Sequence, residues 1–97
     1  MALLQNVKLN IGIEINGAYI RIDTINGNKE RLEISVNTYV SKNSFLNGSG
    51  YLEQKTYAFK PLLELDSDNF IKQGYGYLKT LPEFANALNV PSDGGPD

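Results

Sequence analysis

Over residues 7–16 apolar and polar side chains alternate without a break. Val7, Leu9, Ile11, Ile13 and Ile15 are interleaved with Lys8, Asn10, Gly12, Glu14 and Asn16. A repeat of two gathers every second side chain on one face of an extended strand, whereas a helix would scatter the same residues around its surface. The run therefore predicts a strand with one buried face. Asn16-Gly17 follows it, and Asn-Gly is the strongest short hairpin signal because both residues tolerate positive φ.

The same grammar continues to residue 60. "AYIRIDTI" places Ala18, Ile20, Ile22 and Thr24 on one face, and a second pair, Asn26-Gly27, opens the polar loop "NGNK". "ERLEISVNTYV" puts Leu32, Ile34, Val36, Thr38 and Val40 on one side. The loop "SKNSFLNGSG" carries a third pair, Asn47-Gly48, before the last predicted strand, "YLEQKTYAFK". In that strand Leu52, Thr56 and Ala58 compete with Tyr51, Tyr57 and Phe59 for the core face. The aromatic side is expected to pack, against a C-terminal helix or a neighbouring subunit. The three Asn-Gly pairs are unequally spaced, which makes them turn chemistry and not a repeat period.

After Pro61 the pattern changes. Asp66, Ser67 and Asp68 read as a helix-capping cluster, and apolar residues at 70, 71, 75, 78 and 81 have helical spacing. Pro82 suits a break, and "PEFANALNV" suits a short second helix. The expected fold is α+β: an antiparallel four-stranded β-meander followed by one or two C-terminal helices. Residues 1–90 are expected to form one domain, with its helical segment over 66–89 and a polar Pro/Gly tail over 91–97.

Composition narrows the function. With 97 residues the chain supports one modest core, and without cysteine it has neither disulfide nor thiolate chemistry. It also lacks histidine, which removes the usual general base near neutral pH and the commonest transition-metal ligand. Nine basic and eleven acidic residues, net −2, are spread along the chain, a balance that argues against a nucleic-acid partner. The opening "MALLQNVKLN" is too weakly apolar for a signal peptide, and nothing approaches a membrane span. No cofactor, metal or membrane partner is expected, and synthesis in the cytoplasm is.

"QGYGYLKTLPEF" looks like the end of a phosphate-binding loop, but the Walker spacing needs a glycine directly before the lysine, and Leu78 stands there. The dinucleotide fingerprint needs a glycine where Lys79 sits. Gly74 and Gly76 are instead expected to bring the helix close to the sheet. Glu64, Asp66 and Asp68 lie together, with Glu14 and Glu53 on strands, yet the first three suit a helix cap better than paired acid–base work. Six tyrosines and many asparagines would suit sugar or protein recognition, unless the rings are spent on packing. Phe45 and Leu46 form an apolar tip in a polar loop, which either plugs the core or inserts into a partner. Leu3 and Leu4 are equally open, as an added strand or an intersubunit contact. Leu3, Leu4, Phe45, Leu46 and Tyr51 are the candidate interface residues, and no catalytic residue is assigned.

Three stretches carry a family likeness. "GAYIRIDTINGNKERLEISVNTYV", "GYLEQKTYAFKP" and "YLKTLPEFANALNV" resemble the short proteins encoded in the late structural region of siphophages and prophages of Gram-positive bacteria, over residues 3–90. The resemblance implies a virion component of the tail or baseplate region, made in the host cytoplasm and then built into the particle. Its partners would be other phage structural proteins or copies of itself, in a homo-oligomer or larger assembly. It implies no catalytic residues. Two other readings fit the residues: a carbohydrate-binding module for the host cell wall, and a small cytoplasmic phage regulator.

Overall fold

The computed structural model describes residues 2–90; the tail expected over 91–97 lies outside them. The fold is α+β. Five strands, β1 (Ala2–Lys8), β2 (Glu14–Gly27), β3 (Leu32–Tyr39), β4 (Glu53–Phe59) and β5 (Leu88–Val90), form one antiparallel sheet in the order β4-β3-β2-β1-β5. Helix α1 (Lys42–Leu46) joins β3 to β4, and helix α2 (Phe70–Lys79) with a 3-10 turn (Pro82–Phe84) joins β4 to β5.

The sheet has five strands where four were expected, and the first hairpin turns elsewhere. The alternating run over 7–16 is not one strand: the chain reverses within it, with Leu9 N donating to Ile13 O at 2.8 Å and Gly12 N to Leu9 O at 2.8 Å. Gly12 takes φ +88°, a conformation that a β-branched neighbour would resist. Alternation continues on both sides of this turn, so the period does not reveal it. Asn16-Gly17 lies inside β2, at a bulge: Gln5 pairs with Ala18 and Val7 with Ile15. Gly17 has φ +68°, and its N–H donates to Asn6 Oδ1 at 2.8 Å. An Asn-Gly pair supplies the positive φ that a bulge needs as readily as that of a hairpin turn.

A second shift falls between Ile22 and Thr24, so that Thr24 leaves the face it was expected to share with Ile20 and Ile22. There Ile22 N donates to Tyr75 Oη at 2.9 Å, and α2 supplies a hydrogen-bond partner at the irregular position. Asn26-Gly27 ends β2 before the hairpin loop, where Asn28 Oδ1 accepts from the N–H groups of Glu30 and Arg31. Asn47-Gly48 closes α1 and not a strand-to-strand turn, with Asn47 N donating to Asn43 O at 2.9 Å.

One face of the sheet is covered by α2 and the 3-10 turn. Leu3, Ile20, Ile22, Ile34 and Val36 meet Tyr75, Leu78, Phe84 and Ala87. The aromatic side of β4, the one favoured of its two competing faces, joins them: Tyr57 packs edge-on to Phe84 at 5.9 Å and Phe59 stacks on Tyr77 at 5.5 Å. Tyr51 precedes the strand and stays half exposed. On the opposite face a smaller cluster joins Ala2, Tyr19 and Tyr39 to Leu4, Phe45 and Val90.

The cap of α2 is Asn69, whose Oδ1 accepts from Lys72 N at 2.8 Å, and not the acidic cluster before it. Ser67 instead closes a turn on Glu64, while Gln73 holds the loop by accepting from Leu62 N and donating to Leu62 O and Asp68 O. The helical segment stops short of residue 89. After the 3-10 turn the chain straightens into β5, which pairs with β1 through Leu3 and Asn89.

Candidate functional site

Two surfaces carry side chains that packing alone does not explain. The first is a cleft of about 190 Å³ at the end of the helix-covered face, where α2 no longer reaches. Its apolar floor includes Val7, Ile20, Val36 and Phe84; Glu53, Lys55, Tyr57 and Glu83 form its polar wall. Alternation along β4 sends Glu53, Lys55 and Tyr57 to the same face. Lys55 Nζ stands 3.6 Å from Glu53 and 3.7 Å from Glu83, so one ammonium bridges two carboxylates. Tyr57 Oη donates to Glu83 Oε1 at 2.8 Å, and Gln5 Nε2 donates to Glu83 O at 2.9 Å. Burial, then the hydrogen bond to Glu83 and its charge, hold the Tyr57 phenol well above the ordinary tyrosine range.

Chemically this wall is self-satisfied. Each carboxylate already faces the shared lysine, and the cleft is smaller than the roughly 300–1,000 Å³ typical of small-molecule sites. It fixes the 3-10 turn to β4. Among the described residues no cluster of three or more acidic side chains lies close enough to hold a metal ion.

The "GYGYLKT" segment is engaged in packing. Gly74 is buried against the sheet, where an added Cβ would lie 2.7 Å from Ile22 Cδ1. Gly76 differs from the expectation: it faces open space and brings nothing closer. Lys79 Nζ donates to Ala87 O, and Thr80 Oγ1 donates to Tyr77 O at 2.6 Å.

The second surface is apolar and exposed. Eleven large apolar side chains among the described residues are exposed, and all but Leu88 fall in three groups along the chain. Ile11 and Ile13 occupy the β1–β2 turn; Val40, Leu46, Tyr51 and Leu52 surround α1 and the approach to β4; Leu62, Leu63, Leu65 and Phe70 follow β4. A small domain rarely leaves contiguous apolar surface in water without a use for it.

The five candidate interface residues separate on this surface. Leu46 and Tyr51 are 46% and 50% exposed, open to a partner. Leu3 is fully buried in the main core, since β1 is an inner strand and not an added edge, so it offers no surface. Leu4 is half-buried in the second cluster. Phe45 folds back as a plug: its ring lies 5.5 Å from Tyr19 and 5.1 Å from Tyr39, with the Arg21 guanidinium 4.3 Å from its centroid. Leu62, Leu63 and Leu65 are not among the candidates, and Phe70, expected in the helical stripe, is exposed instead. The signal of the three leucines is "PLLEL", an apolar run that is neither alternating nor part of the helical stripe and therefore has no core to enter.

Tyrosine supplies little exposed surface. Tyr19, Tyr39 and Tyr75 are buried, Tyr57 and Tyr77 are packed against aromatic neighbours, and Tyr51 alone of the six is exposed. Among the described residues no helix is long and apolar enough to cross a membrane. Comparison with family models, with curated proteins and with solved structures finds no match to this chain.

Proposed function

We propose that this protein is a structural or assembly component of a phage particle, in the tail or baseplate region, acting through protein–protein contacts and without catalysis. The observation that carries the contact-driven part is the grouped exposed apolar surface, with Tyr51 and Leu52 before β4 and Leu62, Leu63 and Leu65 after it. The phage setting rests on the resemblance of "GYLEQKTYAFKP" and "YLKTLPEFANALNV" to late-region proteins. A self-satisfied Glu53–Lys55–Glu83 wall and tyrosines turned into the core favour this reading over a wall-sugar module, which needs exposed rings and unspent polar groups.

The test is mass spectrometry of particles purified from the strain that carries the gene, with localisation by antibody labelling. The chain should co-purify with tails in a constant ratio to other tail proteins. Its absence from particles, with the protein abundant in the lysate, would exclude the proposal.

A further inference from the structure

We propose that the outer edge of β4 pairs with β4 of a second copy about a two-fold axis at Thr56, joining two sheets into one; this rests on the contact-driven reading above. Among the described residues β4 is an open sheet edge of seven residues, free of proline and glycine, and it pairs with β3 from Glu53 to Thr38 through Phe59 to Leu32 without a register shift. Such an edge presents a straight row of unpaired backbone groups. The opposite edge, β5, has three residues among those described. The charge that would guard β4, Lys55, is drawn over the helix-covered face by Glu53 and Glu83.

The sequence of the edge selects the partner and the register. A two-fold axis perpendicular to the sheet keeps each face on its own side, so opposed residues must point the same way. Centring on Lys55 would set two ammonium groups against each other, and centring on Tyr57 would bring Pro61, which has no N–H, into the ladder. Centring on Thr56 sets Glu53 opposite Phe59, Gln54 opposite Ala58, Lys55 opposite Tyr57 and Thr56 opposite itself, with no like charges facing. The same axis sets Leu52 of one copy opposite Lys60 of the other and Tyr51 opposite Pro61, with the Leu62–Leu63 corner next along the chain. These side chains, 50%, 42%, 60% and 55% exposed for Tyr51, Leu52, Leu62 and Leu63, are thereby given a common cover.

The test is sedimentation of the full chain across a wide concentration range, with substitutions at Thr56. The wild type should be a dimer. Thr56→Lys and Thr56→Glu should each raise the dissociation constant about tenfold or more, and an equimolar mixture of the two should recover a heterodimer. Circular dichroism would establish that both variants are folded. Because the chain lacks cysteine, Thr56→Cys provides a second measurement. Opposed residues in an antiparallel pair lie about 4.5–5.5 Å apart at Cα, within disulfide reach, so mild oxidation should give a covalent dimer that Glu14→Cys does not. A monomeric wild type, or an oligomer unmoved by Thr56→Lys and not cross-linked through Thr56→Cys, would overturn the pairing. A chain found in particles yet monomeric would overturn the pairing alone; a Thr56-paired dimer absent from particles would overturn the phage reading alone.

Discussion

Gly74 and Gly76 sit two residues apart in α2 and do opposite things. A side chain at Gly74 meets Ile22 at 2.7 Å in the filled core, whereas one at Gly76 meets nothing. Alanine is preferred to glycine in a helix by about 1 kcal/mol, while overpacking a core costs about 1–3 kcal/mol. Gly76→Ala should therefore raise unfolding stability by about 0.5–1 kcal/mol, and Gly74→Ala should lower it. Urea unfolding of the pair checks both signs, and a stabilising Gly74→Ala would mean that Ile22 moves aside freely. The sequence suggested close approach for both glycines, yet the stripe through Ile71, Tyr75 and Leu78 already separates them, since helical spacing puts Gly74 on that face and Gly76 on the other side.

At the scale of elements, α1 has only five residues, too few for its own backbone bonds to hold it. Ser41 caps it, accepting from Ser44 N at 3.1 Å, and Phe45 fastens it to Tyr19 and Tyr39. An interface anchor at Phe45 would, on truncation to alanine, weaken assembly and leave the fold intact. The packed ring reverses that order: Phe45→Ala should cost about 2–3 kcal/mol of unfolding stability, less than a fully buried phenylalanine. A thermal melt unchanged by the substitution would show that α1 is dispensable to the domain. Polarity flanking an apolar pair marked the loop as unusual in the sequence. Its direction depended on two tyrosines, one of them more than twenty residues away, brought beside it by the β2–β3 ladder.

For the molecule as a whole, two tyrosines couple stability to alkaline pH. Tyr57 is raised by burial and by Glu83, and Tyr75 is raised chiefly by burial, against the opposing effect of its hydrogen bond with Ile22. Both phenols titrate higher in the folded chain than the ordinary value of about 10 in the unfolded one. Their contribution is thus complete below pH ~10 and is lost as pH rises through the folded values. Unfolding stability should fall above that point, and Tyr57→Phe or Tyr75→Phe should flatten its slope. Ultraviolet titration of the native protein should find the Tyr57 and Tyr75 phenols ionising above the ordinary tyrosine range; ionisation of both at the ordinary value would contradict the packing that links α2 and the 3-10 turn to the sheet.

The division between sequence and tertiary structure follows from range. Alternation on Leu32, Ile34 and Val36, the aromatic row of Tyr57 and Phe59, the stripe through Tyr75 and Leu78, and the failed loop spacing at Lys79 are local patterns, and they determined an α+β chain with a helix packed on an antiparallel sheet. The positions of Leu3, Phe45 and Asn16-Gly17, and the existence of β5, depend on partners far along the chain. Leu3 is buried because Leu88–Val90 returns to pair beside β1, and Asn16-Gly17 becomes a bulge because Asn6 accepts from Gly17 across the ladder. Only the assembled sheet decided which apolar side chains were used up, and so left β4 and its flanking leucines at the surface.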